Sequence, residues 1–447
     1  MSAMTPRGGS QQVLRAWNLR RLLECLEHGP MSQVELAAAA GLSEATVSNL
    51  VRVLLEDRLA VQEAGLRNGR RAKLLRLPDA HRAWQVGIDI GRTRIRVVAS
   101  PGPADPEGAP DGRRPTYEAA IPVPCPYSHA IDTVARLVDR CAADGRTRAD
   151  LSGAVVAVPG LVRVSREPGA QGLLGEGYHQ HMGWGSVPLA RDLGAALGTE
   201  VVVENDCNLA ALAEMHAGAA RPYRDFMFVL GEAYTAGGLV LGGEIYRGGG
   251  GVAGEFGHCV VEPGGRPCWC GGRGCLETVA GEAALLAEVT GVTGLTGGSG
   301  IAGVTGVTGV TGLSPRAGFG TPAAGAGAGE PGPQGAGRPG APRDLAEIVA
   351  RALAGDPACQ AAVTKAGTAI GSLVGAVATP LDLDCVVVGG TLARAGNLLL
   401  EAVRAHLTLY VGRLHPATVA VLAAELGDDA PLRGALLQAR HTILARS

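Results

Sequence analysis

From Trp84 onward the chain alternates short aliphatic runs with segments of helical periodicity, and keeps this up for roughly 360 residues. Residues 86–90, 95–98, 154–158, 201–203, 226–230 and 385–388 are mostly apolar, the pattern of strands covered on both faces. Between them, residues 130–141, 188–196, 209–217 and 365–378 carry apolar side chains at helical spacing. Such alternation predicts an α/β fold of more than one layered unit. A length of 447 residues fits about three domains at ~150 residues each. With aromatic residues at 3%, the cores are built from Val, Leu, Ile and Ala.

The first 82 residues read differently. Residues 13–27 have helical spacing and stop at Gly29-Pro30. Ser32 and Glu35 form a capping-box pattern opening a helix over 33–40, and Gly41 ends it. Ser43 caps a third helix reaching about residue 56, with Ala45, Val47, Leu50, Val53 and Leu54 as its apolar positions. Two strand-like runs, 59–63 and 73–77, are joined by a Gly- and Arg-rich tip over 65–71. This is the layout of a winged helix-turn-helix, whose third helix enters the major groove of double-stranded DNA while the wing rests on the backbone. Ser43, Glu44, Thr46, Ser48 and Asn49 are the candidates for base edges, Arg52 for a phosphate, and Arg67, Arg70 and Arg71 for the wing contact. Residues 1–82 hold twelve Lys and Arg against eight Asp and Glu, whereas the whole chain has a net charge of −2. Binding of a polyanion by bulk charge is thereby excluded, and a local basic wing is favoured. A small helical protein-interaction domain with an exposed arginine hairpin is the alternative.

Seven of ten cysteines are scattered, but Cys268, Cys270 and Cys275 crowd together behind His258 as His-x9-Cys-x-Cys-x4-Cys. Three thiolates and one imidazole complete the closed tetrahedral shell of a structural zinc site. Gly271, Gly272 and Gly274 allow the tight path that brings such closely spaced sulfurs to one ion. A dithiol redox role is the competing possibility and fits the Cys-x-Cys spacing poorly.

Residues 1–12 lack an apolar core of the signal-peptide type, and no uninterrupted apolar run approaches the ~18 residues of a membrane span. A cytoplasmic protein with no membrane partner is expected. Glycine, at 68 residues, is enriched chiefly over 290–343, where Gly-Val-Thr repeats give way to a Gly/Ala/Pro run. Too few large apolar side chains lie there to offset ordering entropy, so a disordered surface insertion is expected.

Several segments together resemble the ROK family of repressors and sugar kinases. They are Gly87-Ile-Asp-Ile-Gly-Arg-Thr93, Val158-Pro-Gly-Leu-Val162 and Val203-Glu-Asn-Asp-Cys-Asn-Leu-Ala210, then Gly254-Glu-Phe-Gly-His258, the Cys-rich loop closing on Gly274-Cys-Leu-Glu277, and Val388-Gly-Gly-Thr391. The resemblance implies an α/β architecture: a winged helix-turn-helix (1–82) followed by two lobes of the actin-like ATPase (ribonuclease H-like) type, 83–206 and 207–447. It also implies a sugar site. Asn205, Asp206, Glu255, His258 and Glu277 match positions that hold hexose hydroxyls in the family, and Pro159 and Gly160 match a substrate loop. Asn205 and Asp206 equally suit a cap on the helix from Cys207. In the family's kinases the residue at Asp206 is the base, and glycine-rich turns cradle ATP. Here Arg92 replaces a glycine of the first turn, and Gly231-Glu-Ala-Tyr-Thr-Ala-Gly237 replaces the second, bringing Glu232 toward the phosphates. The expectation is a sugar-responsive repressor without catalytic residues, acting as a homodimer or dimer of dimers, the alternative being an ATP-dependent sugar kinase with an appended DNA-binding domain.

Overall fold

A computed structural model describes residues 18–19, 21–23, 25–26, 29–56, 60–67, 70–76, 84–100, 116–142, 147–164, 173–179, 182–291, 341–411 and 419–444. The expected insertion falls almost wholly outside them. The chain forms two compact units, one comprising Met1–Gln180, Trp184–Leu209 and Pro431–Ser447, the other His181–Gly183 and Ala210–Ala430.

In the first unit, the described residues from 18 to 26 are helical, and α1 (Gln33–Ala40) and α2 (Glu44–Glu56) follow. The Ser32 hydroxyl accepts from the Glu35 N–H at 3.3 Å, and the Glu35 carboxylate accepts from the Ser32 N–H at 2.8 Å. Gly41 closes α1 at φ 58°, the left-handed conformation glycine adopts at least cost, and donates to the Ala37 and Ala38 carbonyls. Leu22, Leu36, Val47, Leu54 and Leu75 form the core of this module. On α2 the buried positions are Val47, Leu50, Val51 and Leu54. Val51 therefore takes a place expected of Ala45, which is exposed, and Val53, which is half-buried. The hairpin strands β1 (Val61–Arg67) and β2 (Arg70–Arg76) are longer than the sequence pattern indicates, and the tip correspondingly shorter. Gly65 pairs with Ala72 and Arg67 with Arg70, because the backbone ladder does not depend on which side chains the strands carry. Leu75 exchanges both backbone hydrogen bonds with Met31, at 2.9 and 2.7 Å, which ties the hairpin to the approach to α1.

The main sheet of this unit starts with an antiparallel meander, β3 (Trp84–Ile90), β4 (Arg94–Ala99) and β5 (Thr116–Ala120). After α3 (Tyr127–Ala142), β6 (Leu151–Val158) lies parallel to β3. A small sheet of β7 (Leu161–Val164), β8 (Leu173–Tyr178) and β9 (Ser186–Val187) and the helix α4 (Leu189–Leu197) lead to β10 (Val201–Asn205), parallel to β6. The order is β10-β6-β3-β4-β5. α5 (Asp206–Ala217) follows without a loop, three residues earlier than its apolar periodicity begins.

The second unit repeats the plan. An antiparallel meander of β11 (Phe226–Gly231), β12 (Thr235–Leu241) and β13 (Glu244–Ile245) opens it. The helices α6 (Glu277–Ala280), α7 (Glu282–Thr290), α8 (Leu345–Leu353) and α9 (Pro357–Leu381) precede β14 (Cys385–Gly389), which is parallel to β11. After α10 (Asn397–Val411), β15 (Ala420–Ala423) adds a second parallel pairing, for the order β13-β12-β11-β14-β15. Each unit thus joins a three-strand meander to two parallel strands, the duplicated two-lobed plan of actin-like ATPases. α9 is long and apolar enough to cross a membrane, but it is mostly buried, with Val363, Ile370 and Val374 in the core of the unit. The final helix, α11 (Ala430–Leu444), belongs largely to the first unit, where Leu432 and Leu436 pack on Val98 of β4. This departs from the expected lobe boundary: the helix backbone runs so close to β3 that a side-chain carbon at Gly87 would lie 2.6 Å from the Leu436 nitrogen.

Candidate effector site, metal cluster and nucleic-acid interface

The helix-turn-helix presents a polar face built by the spacing of its apolar residues. With Val47, Leu50, Val51 and Leu54 inward, Glu44, Ser48, Asn49 and Arg52 are exposed. Ser43 and Thr46 are engaged locally: the Ser43 hydroxyl accepts from the Thr46 N–H at 3.2 Å and meets its hydroxyl at 2.8 Å. Ser43 is thus the cap of α2, as well as a candidate for base contact. Arg67 and Arg70 face each other across the hairpin end, and Arg71 pairs with Leu66; the side chains of these three arginines lie outside the described residues.

The sugar-site candidates fall into two groups, each within one unit. In the first unit, Asn205 ends β10 opposite Val158, the last residue of β6. Pro159, Gly160, Asn205 and Asp206 therefore sit at the carboxyl ends of adjacent parallel strands, where open α/β sheets take ligands. The Asn205 amide donates to the Gly160 carbonyl at 3.0 Å, and its oxygen accepts from the N–H groups of Cys207 and Asn208 at 2.9 and 3.1 Å. Asn205 is the helix cap and the anchor of the Pro159-Gly160 turn at once. Asp206, nearly buried, accepts from the Cys207 N–H at 2.9 Å. Beneath them the buried Glu204 carboxylate accepts from the Asn205 N–H and the Asn208 amide at 2.8 and 2.9 Å. The sequence gave no separate signal for this supporting role, since a Glu at a strand end is ordinarily solvent-facing.

In the second unit, Glu255 and His258 occupy one 3-10 turn, with Glu255 half-buried at its start. Glu277 opens α6 two residues beyond Cys275, and its carboxylate accepts from the Thr235 N–H at 2.5 Å. Burial pushes the Glu277 carboxyl up to about 7, against the pull of the Thr235 bond.

Between these residues lies the cysteine loop. The His258 Nδ1 is 3.6 Å from the Cys268 sulfur and the Cys270 and Cys275 sulfurs are 3.7 Å apart. All four donor atoms lie within 4.8 Å of one another. Four donors around one zinc at ~2.3 Å would be about 3.8 Å apart. The backbone that sets this spacing is tightly folded. Gly274, at φ +72°, passes so close to the Glu262 carbonyl that a side-chain carbon there would lie 1.6 Å from its oxygen. The Trp269 ring stands edge-on to the His258 imidazole, centroids 4.6 Å apart. Burial pushes the Cys275 thiol up to about 12 and raises Cys268 as well, so a bound cation would be what makes thiolates of them. The donor set fits a structural zinc ion, which these four residues would hold.

Side-chain pairs lie close to both turns that the resemblance assigns to phosphates. In the second unit, the ends of β11 and β14 meet, and the Glu232 carboxylate accepts from the Thr391 N–H at 2.6 Å and its hydroxyl at 3.0 Å. Burial raises the Glu232 carboxyl, and both Thr391 bonds lower it. In the first unit, buried Asp89 on β3 is paired with Arg96 directly across on β4, at 2.7 and 3.0 Å. Neither partner, Thr391 or Arg96, was singled out by spacing, because each pairing forms only once the strands are side by side.

Residues 85–442 match the model of the ROK family. The chain belongs to the ROK family. Residues 19–64 also match the IclR helix-turn-helix domain. The chain is 26% identical to a glucokinase of Halalkalibacterium halodurans over 356 residues, 78% of this chain and 93% of that protein. A xylose repressor of Bacillus spizizenii is 25% identical over 278 residues, 62% of this chain and 68% of its own length. The crystal structure of a ROK family transcriptional regulator, a homologue of the Escherichia coli MLC protein, superposes with a TM-score of 0.67 at 19% identity, covering 97% of this chain and 98% of that one. That likeness shows a common fold through both the helix-turn-helix and the ROK domain.

Proposed function

We propose that this ROK protein is a sugar-responsive transcriptional repressor that binds operator DNA, with a structural zinc and no phosphoryl-transfer activity. The observation that carries it is the combination of a helix-turn-helix with a phosphate turn held by Glu232. A carboxylate bonded to Thr391 competes directly with a nucleotide phosphate for the same donors. The xylose repressor's similarity supports a sugar as effector. Ser48, Asn49 and Glu44 read bases, with Ser43 and Thr46 at the helix start, and Arg52, Arg67, Arg70 and Arg71 contact phosphates. Pro159, Gly160, Asn205, Asp206, Glu255, His258 and Glu277 bind the effector's hydroxyls. His258, Cys268, Cys270 and Cys275 hold zinc through a closed shell, so the metal fixes the His258 ring rather than activating water. The winged helix (1–82) and the two ROK lobes divide these tasks. A homodimer or dimer of dimers in the cytoplasm matches the symmetry of operators. The effector acts by binding the DNA-competent and DNA-incompetent states with different affinity.

Fluorescence anisotropy on DNA from upstream of the protein's own gene tests this, with and without a panel of neutral and phosphorylated sugars. Sequence-specific binding that one sugar changes is the expected result, and absence of specific binding in every condition overturns it. The similarity to a glucokinase over 93% of that protein favours a second reading, a sugar kinase with a DNA-binding appendage. A coupled ATP-consumption assay over the same sugars decides between them, since turnover would establish the kinase.

A further inference from the structure

A buried histidine of the first unit, outside every residue set named so far, stands against the Pro159-Gly160 turn. His179 is fully buried, and its Nδ1 lies 3.0 Å from the Pro159 carbonyl oxygen. A carbonyl can only accept, so Nδ1 carries the proton and donates. Burial lowers the affinity of the imidazole for a second proton. In this neutral tautomer Nε2 is an acceptor alone. It is buried, and has no hydrogen-bond partner among the described residues.

The ring has little freedom to seek another partner. The His179 N–H donates to the Gly185 carbonyl at 2.9 Å and its carbonyl accepts from the Trp184 N–H at 3.3 Å. The Trp184 indole stands edge-on at 6.2 Å between centroids, and is itself fixed by donating to the Cys125 carbonyl at 2.6 Å and by the Tyr127 ring at 5.3 Å. Two consecutive carbonyls of the turn are thus held from two sides: Pro159 by His179 and Gly160 by Asn205. An acceptor buried without a donor is costly, on a scale comparable with a lost hydrogen bond, so a bound ligand or water supplies the missing half.

We infer that His179 is an effector-binding residue, its Nε2 accepting a hydrogen bond from a free hydroxyl of the sugar bound at the Pro159-Gly160 turn. This rests on the sugar-effector function proposed above and adds a chemical restriction to it. An acceptor-only nitrogen cannot pair with a deprotonated phosphate oxygen, so the sugar position that meets His179 is unphosphorylated.

The test uses the full-length protein, D-xylose, D-glucose and N-acetyl-D-glucosamine as first probes, then monodeoxy analogues of whichever binds. His179→Asn keeps an N–H donor where Nδ1 was and deletes the Nε2 acceptor; His179→Gln restores a polar group near the Nε2 position. The expected result is that His179→Asn keeps the sugar-free melting temperature, weakens sugar binding about tenfold in titration calorimetry, and is partly rescued by Gln. One monodeoxy analogue loses the same factor on the wild type and nothing further on His179→Asn, which identifies the hydroxyl. Equal sugar affinity of the wild type and His179→Asn overturns the inference while leaving the effector function intact. A wild type that binds no sugar of the panel, free or phosphorylated, overturns both. If His179→Asn does not fold, nitrogen-15 imidazole spectra of the wild type decide: the Nε2 resonance moves to lower frequency on adding the sugar, and an unmoved resonance counts against the assignment.

Discussion

Glu277 and Cys270 show how single side chains here carry measurable consequences. Glu277 has its folded-state carboxyl raised from 4.5 to about 7 by burial. A carboxyl raised on folding contributes stability that is complete below its unfolded value and is lost as pH climbs through its folded one. The wild type is therefore expected to lose on the order of 3 kcal/mol relative to Glu277→Gln as pH rises from 4.5 past about 7, read from urea denaturation at several pH values. A variant whose stability tracks the wild type across that range would contradict the burial argument. Cys270 is the exposed member of the four-donor cluster, so replacing it disturbs no core packing. Cys270→Ser should drop bound zinc well below one per chain by atomic emission and lower unfolding stability by roughly 2–5 kcal/mol. At this scale the sequence was informative where chemistry depends on close spacing, as in the His-x9-Cys-x-Cys-x4-Cys run, and silent where it depends on strands far apart. Thr391 lies 159 residues from Glu232, and nothing local marks the pair.

Elements were legible in proportion to how sharply they are punctuated. α1 has the expected bounds because Ser32, Glu35 and Gly41 specify both ends through hydrogen bonds that the residue types announce. α5 begins earlier than its apolar pattern because Asn205 and Asp206 cap it with polar side chains. α9 extends well beyond residues 365–378: Asp356 caps it at the front, accepting from the Ala358 and Cys359 N–H groups, and its Ala- and Gly-rich ends carry little periodicity. At the hairpin tip the ladder runs through Gly and Arg residues whose types by themselves indicate a loop. On α2, Ser48, Asn49 and Arg52 share the exposed face but differ in what they would contact. Arg52→Ala is expected to weaken DNA binding on all sequences alike and reduce the salt slope of the binding constant by about 1. Asn49→Ala should instead cost about 1–3 kcal/mol on the operator alone, both read by anisotropy across a salt series.

For the molecule as a whole, the alternation of strands and helices announced two layered units but not their boundaries, which depend on which sheet the last helix covers. Leu432 and Leu436 lie on the strand face beside Gly87, and the Gly434 position runs against the Leu209 carbonyl with no space for a side-chain carbon. Removing Pro431–Ser447 should therefore unfold the first unit selectively, with proteolytic cuts appearing in residues 84–205 before those in 226–289. Early cuts in the second region instead would show that the helix stabilises that unit. The first unit's sheet is encoded by the time Asn205 is translated, yet α11, which packs on it, follows more than 200 residues later. During synthesis the surface around Val98 and Gly87 stays uncovered while those residues emerge. A first unit arranged in this way is finished only once α11 has emerged, so a polypeptide terminated before Pro431 would be cleared as a misfolded product instead of persisting with its helix-turn-helix intact.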